Sequence, residues 1–163
     1  MDQITQALFA ASRQGNVPVL EEIFDLKVDL NIQDEKGFTP LIIAVYNAQV
    51  EAAGALLDAG ASIEIADGHG NNALMGACFK GHADAAKLLL QRGANVNARN
   101  GNDGTALMFA AMFGRIAIVE MLLGYGADKN LRDSRGLLAE DHAKMQGNHE
   151  VAEKLRLHDV LNA

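Results

Sequence analysis

One period runs through this chain and limits what it can fold into. Alanines recur at Ala11, Ala44, Ala77, Ala110 and Ala143, each step being 33 residues. The leucines three positions earlier, Leu8, Leu41, Leu74 and Leu107, keep the same step of 33. Gly60-Ala61, Gly93-Ala94 and Gly126-Ala127 repeat in the same phase. A fixed period of this length marks stacked supersecondary units, because one such unit cannot bury its own apolar face. The register divides a single domain, 1–163, into five units: 1–33, 34–66, 67–99, 100–132 and 133–163.

Each unit reads as two short helices and a turn, which makes the chain all-α. In the second unit Thr39 can cap the first helix, and Pro40 suits its first turn, where the missing N–H would be unpaired anyway. Ala48, Gly81, Gly114 and Gly147 mark the break between the two helices. The second helices carry Leu56-Leu57, Leu88-Leu89-Leu90 and Met121-Leu122-Leu123, and Gly60, Gly93 and Gly126 end them in a left-handed cap. Short turns are expected near 33–38, 66–71, 99–104 and 132–136. The alanine column has a steric reason: the first helices of successive units pack closely there. The end units read as caps. Glu21 and Glu22 replace residues such as Leu88 and Met121, and Lys154 and Arg156 stand in the leucine column of the last unit.

Charge narrows the partners. With Lys+Arg 14 and Asp+Glu 21 the net charge is −7, which repels nucleic-acid backbones and anionic membrane surfaces. No apolar stretch approaches the roughly 20 residues of a membrane-spanning helix. Cys78 is the single cysteine, so no intramolecular disulfide forms, and the N-terminus lacks the pattern of a signal peptide. A cytoplasmic monomer is the expectation.

The register resembles the ankyrin repeat across essentially the whole chain. The residues that carry the resemblance are Asp34…Gly37-Phe38-Thr39-Pro40-Leu41, Gly81-His82, Leu88-Leu89-Leu90 and Gly93-Ala94-Asn95-Val96-Asn97-Ala98. There are departures. The family's histidine after Thr-Pro-Leu is Ile42, Met75 and Met108 here, Thr39-Pro40 becomes Asn72-Ala73 and Thr105-Ala106, and the fourth turn, Asn100-Gly101-Asn102-Asp103-Gly104, has shifted glycines. The wording is also similar to small bacterial all-ankyrin proteins. The resemblance implies an ankyrin-repeat solenoid with N- and C-terminal capping units. It implies a non-enzymatic adaptor or regulator that binds a protein partner with its concave face.

Ankyrin proteins generally bind through their hairpin tips and the exposed ends of the first helices. By register those ends are Arg13, Tyr46, Phe79, Met112 and Met145, followed by Gln14, Asn47, Lys80, Phe113 and Gln146. The resemblance therefore assigns partner binding to Phe38, Tyr46, Phe79, Lys80, Met112 and Phe113. Aromatic residues and methionine suit binding hot spots and irregular partners. Some bacterial relatives are associated with catalases, which implies a second function: a carrier or maturation factor for a partner enzyme, for example one supplying haem to a catalase.

Chemical sites are weak by comparison. Cys78 and His82 are four apart, yet no further ligands have zinc-site spacing, so both read as structural. Met75, Met108 and Met112 are soft ligands in principle, but methionine at helical spacing reads as core. His142 and His149 read as solvated or capping residues. Gly101-Asn102-Asp103-Gly104 lacks the Lys-Ser/Thr of a phosphate loop, and no serine sits in a nucleophile elbow. No catalytic residue, metal or cofactor is expected.

Overall fold

The computed structural model describes residues 1–161, so the final positions of the fifth unit, expected at 133–163, lie outside the described residues. Among the described residues there are ten helices and no strand. They pair along the chain as α1 (Gln3–Gln14) with α2 (Val17–Asp25), α3 (Pro40–Tyr46) with α4 (Val50–Asp58), and α5 (Ala73–Lys80) with α6 (Ala83–Gln91). Then come α7 (Ala106–Met112) with α8 (Ile116–Gly124), and α9 (Ala139–Met145) with α10 (His149–Leu161). The first helices α1, α3, α5, α7 and α9 touch one another in sequence, and so do the second helices. This is the all-helical solenoid of five units that the period demands.

The helix ends are set by local chemistry. Thr39, Asn72 and Thr105 accept the backbone N–H three residues on, at 3.2, 3.0 and 3.3 Å, and so cap α3, α5 and α7. Leu138 cannot do this, and the Asp141 carboxylate instead accepts the Leu138 N–H at 2.8 Å. Gly60, Gly93 and Gly126 take φ of 99°, 85° and 86° after the second helices. There the next N–H bonds back to Leu56, Leu89 and Leu122 at 2.9, 3.0 and 3.0 Å.

The core is a set of columns. Ala44, Ala77, Ala110 and Ala143 are fully buried, as are Leu56, Leu89 and Leu122. Each such leucine contributes about 1.5–3 kcal/mol of apolar burial. At the N-terminal end α2 buries Leu20 and Ile23 and exposes both Glu21 and Glu22. Only Glu22 shares the column of Leu88 and Met121; Glu21 shares that of Lys87 and Glu120, which are themselves exposed. At the other end α10 buries Val151, Ala152 and Leu155, while Lys154 pairs with Glu120 across the unit boundary.

The non-helical segments are longer than the expected turns, running over 26–39, 59–72, 92–105 and 125–138. The extra length is held by side-chain bonds to the backbone. Asn31, Glu64 and Asn97 share one column and accept the N–H groups of Ser62, Asn95 and Asp128 in the next unit at 2.8, 2.6 and 2.8 Å. The hairpin tips are joined through their backbones: the N–H groups of Gly68, Gly101 and Ser134 donate to the carbonyls of Lys36, His69 and Asn102 at 3.1, 3.0 and 2.9 Å. Such close approach leaves no room for a side chain at Gly70, where φ is 81° and a Cβ would stand 2.7 Å from the Gly101 nitrogen. The fourth turn keeps the same shape despite its shifted glycines. Asp103 takes φ 58° in the place of Gly70, and Asn100 Oδ1 accepts the N–H groups of Asn102 and Gly104 at 3.0 and 2.8 Å.

Candidate functional site

The first helices stop abruptly where the chain turns left-handed, at Ala48 (φ 57°), Gly81 (φ 78°) and Gly114 (φ 64°). That break leaves the last side chains of each first helix at the edge facing the hairpins. Tyr46 closes α3, Phe79 lies in the last turn of α5, Met112 closes α7 and Phe113 follows it. Phe38 joins them from the hairpin that precedes α3.

These rings touch in a row. Phe38 and Tyr46 have centroids 5.7 Å apart, and Tyr46 stacks on Phe79 at 6.3 Å with planes 28° apart. Phe79 then meets Phe113 edge-on at 4.9 Å and Phe109 edge-on at 6.3 Å. Offset and edge-on contacts at these separations are favourable arrangements for aromatic rings. Tyr46 lies over Gly76, where a Cβ would come within 2.7 Å of its ring, so the glycine makes space for the row. Phe38 and Tyr46 are half-buried, whereas Phe79 is 39% and Phe113 42% exposed. Lys80 is exposed beside Phe79, and Met112 is half-buried and outside the ring contacts. Burial pushes the Tyr46 phenol above its ordinary pKa, and the nearby Asp67 carboxylate adds to the shift. The row thus spans three units as one partly exposed apolar strip.

Residues 7–100 and, overlapping them, 65–133 match the family model described as ankyrin repeats (3 copies). The chain is an ankyrin-repeat protein. No curated protein matches it significantly. Ankyrin repeats are generally protein–protein interaction modules and typically non-enzymatic. No helix among the described residues is long and apolar enough to cross a membrane.

In this ankyrin stack the other marked residues serve structure. Cys78 is fully buried, and burial alone pushes its thiol up to about 12, far from a reactive thiolate. His82 stands beyond the helix break, and its Nε2 is 3.1 Å from the Tyr46 carbonyl of the preceding unit. It belongs to a column with Arg115 and Asn148, which also reach back one unit. Asn148 donates to the Ala111 and Met112 carbonyls at 3.1 and 2.8 Å, and Arg115 lies 3.5 Å from those of Phe79 and Lys80. The column ties down the carbonyl ends of the very helices that present the aromatic row.

Two site features differ from the sequence expectations. Phe109, not singled out by register, extends the row because it points at Phe79 from the next unit. Its column mates Ala10, Ile43, Gly76 and His142 are dissimilar, so no repeat signal marks it. His142, expected to be solvated or capping, is instead 5% exposed and holds Asp133 Oδ2 at 2.8 Å. The reason is the fifth turn: Asp133 also accepts the N–H groups of Arg135 and Leu137 at 2.9 and 3.0 Å, and its second oxygen needs a partner. Burial works to raise the Asp133 pKa, but the Leu137 N–H, the His142 ring and the Arg135 N–H together hold it below the ordinary carboxylate value.

Proposed function

We propose that this protein is a non-enzymatic adaptor or regulator that binds a protein partner along the concave face, with Phe38, Tyr46, Phe79, Lys80, Met112 and Phe113 as its contact residues. The observation that carries this reading is the aromatic row, in which Phe79 and Phe113 remain 39% and 42% exposed although they sit between packed units. Contiguous exposed apolar surface mark interaction sites, and aromatic anchors dominate their energetics. The tethering column from His82 to Asn148 supports the reading, because it holds the row rigid before any partner arrives, which lowers the ordering entropy of association.

The test is an amide hydrogen-exchange footprint of the partner-bound protein. Slowed exchange in residues 38–47, 73–81 and 106–114, with 50–58 and 83–91 unchanged, is the expected pattern. Protection confined to the second helices would contradict the site. The carrier reading has Met108 and Met112 in its favour only as soft donors; a haem titration that leaves the haem absorbance unchanged sets it aside.

A further inference from the structure

The aromatic row ends at a cleft. Between the fourth and fifth hairpins a space of about 420 Å³ opens, within the range of pockets that take a small ligand or a large side chain. Its floor is apolar: Met108, Phe109 and Met112 from α7. Its rim is polar: Asn102, Ser134 and Arg135 from two neighbouring tips. Phe109 belongs to both the cleft and the row, so the two are continuous.

The polar groups around this cleft fall into two classes. The Asn100 and Asp133 oxygens are engaged within the fold. Asp133 holds two N–H groups and the His142 ring, and Asn100 holds two N–H groups while its amide donates to Asn71 at 2.8 Å. What remains is one loosely paired cation and two neutral groups that both donate and accept. The Arg135 side chain is 61% accessible and stands 3.8 Å from Asp133, too far for a hydrogen bond. The Asn102 amide and the Ser134 hydroxyl have no hydrogen-bond partner among the described residues. The carboxylates on the flanking elements are likewise engaged: Asp103 lies 3.7 Å from Arg99, Glu140 pairs with Lys144 at 2.5 Å, and Asp141 accepts the Leu138 N–H at 2.8 Å. Helices α1, α3, α5 and α7 hold no carboxylate, and their two cations, Arg13 and Lys80, make no ion pair among the described residues.

We infer that the cleft is the anchor subsite of the groove and takes a large apolar side chain flanked by a carboxylate, from an acidic peptide segment of the partner. The apolar side chain fills the space over Met108, Phe109 and Met112. The neighbouring carboxylate meets the Arg135 guanidinium, a planar fork suited to carboxylate oxygens. The acidic segment then runs along the row toward Lys80. This inference rests on the reading of the concave face as the binding surface.

The probe is a library of random twelve-residue peptides, selected against the whole chain and against Arg135→Glu. Selected peptides are expected to carry Phe, Leu, Ile or Met beside Asp or Glu, and Arg135→Glu is expected to abolish the acidic preference. Binding of the strongest selected peptide to wild type should shift the methyl signals of Met108 and Met112 in methionine-labelled protein and leave that of buried Met75 in place. Met112→Ala should weaken that peptide at least about tenfold, with a melting curve confirming the fold. Selection without an acidic neighbour, or methyl shifts elsewhere, overturns the subsite. Peptides that depend on Phe79 but on neither Met112 nor Arg135 overturn the subsite and leave the groove standing; peptides that depend on none of the three overturn both. If N-acetylphenylalanine alone binds as tightly as the peptide, the occupant is a free small molecule and the inference is wrong.

Discussion

The second helices α2, α4, α6 and α8 carry Glu21, Glu22, Asp25, Glu51, Asp58, Asp84 and Glu120 against Lys87 alone. The first helices α1, α3, α5 and α7 carry no carboxylate, only Arg13 and Lys80, and they end in the aromatic row. Among these eight helices the negative charge is therefore unevenly placed. One side of the stack carries like charges, whose repulsion opposes self-association. On the other side only the last first helix, α9, carries carboxylates, Glu140 and Asp141, and the helices that present the aromatic row carry none. Repeated columns build the stack, and positions that break the repeat, such as Phe109 and His142, shape the edge where the aromatic row ends.

That comparison can be broken at several levels. The largest effect is expected in the seam between first helices. Ala77→Leu inserts three carbons into a fully buried column and should lower stability by about 1–3 kcal/mol or more. Urea denaturation checks this, and an unchanged midpoint would mean that the column lies outside the packed seam. Next comes the hairpin ladder. Gly70→Ala places a Cβ against the Gly101 backbone at φ 81° and should cost about 1–3 kcal/mol. The cost should appear in the melting curve, and its absence would show that the tips are not held in contact.

A smaller and pH-dependent effect belongs to the fifth turn. The Asp133 pKa is depressed in the folded state, so its contribution is present above the unfolded carboxylate range and is lost as pH falls through the folded value. Asp133→Asn should therefore cost about 1–2 kcal/mol at neutral pH. The difference from wild type should fade below about pH 4. Melting curves at pH 7 and pH 3 test the sign, and a penalty that grows on acidification would refute the assignment.

The fold was legible because its signals repeat. Ala44, Ala77 and Ala110 say the same thing three times, and Thr39, Asn72 and Thr105 are different words for one cap. The five-unit helical stack follows from that. Functions carried out by chemically unlike residues at one register were not legible. His82, Arg115 and Asn148 reach back to the preceding unit with three different groups, so no pattern announces a tether. Asp103 adopts the left-handed conformation where neighbouring units use glycine, because Asn100 and the backbone ladder hold it there. The longer loops escaped for a related reason: their order comes from cross-unit bonds such as Asn31 to Ser62, and those depend on the stacking itself. At the groove, Tyr46, Phe79 and Phe113 could be placed together by register. Phe109 and His142 could not, since both fall in the column of Ala10, Ile43 and Gly76, which shares no chemistry, even though His142's partner Asp133 repeats the turn acceptors Asp34, Asp67 and Asn100.

The central claim is that recognition lies on the aromatic side and not on the acidic one. Its most direct test is the affinity of a purified partner for four variants, with a melting curve for each. Phe79→Ala and Phe113→Ala should each weaken binding by about 2 kcal/mol, roughly thirtyfold, with the fold kept and a stability loss of about 1–2 kcal/mol from the lost ring contacts. Glu51→Lys and Lys87→Glu, on exposed positions of α4 and α6, should leave the affinity within about 0.5 kcal/mol of wild type. Normal binding by the two phenylalanine variants, together with loss of binding by the two charge reversals, would place the working surface on the second helices and contradict the account.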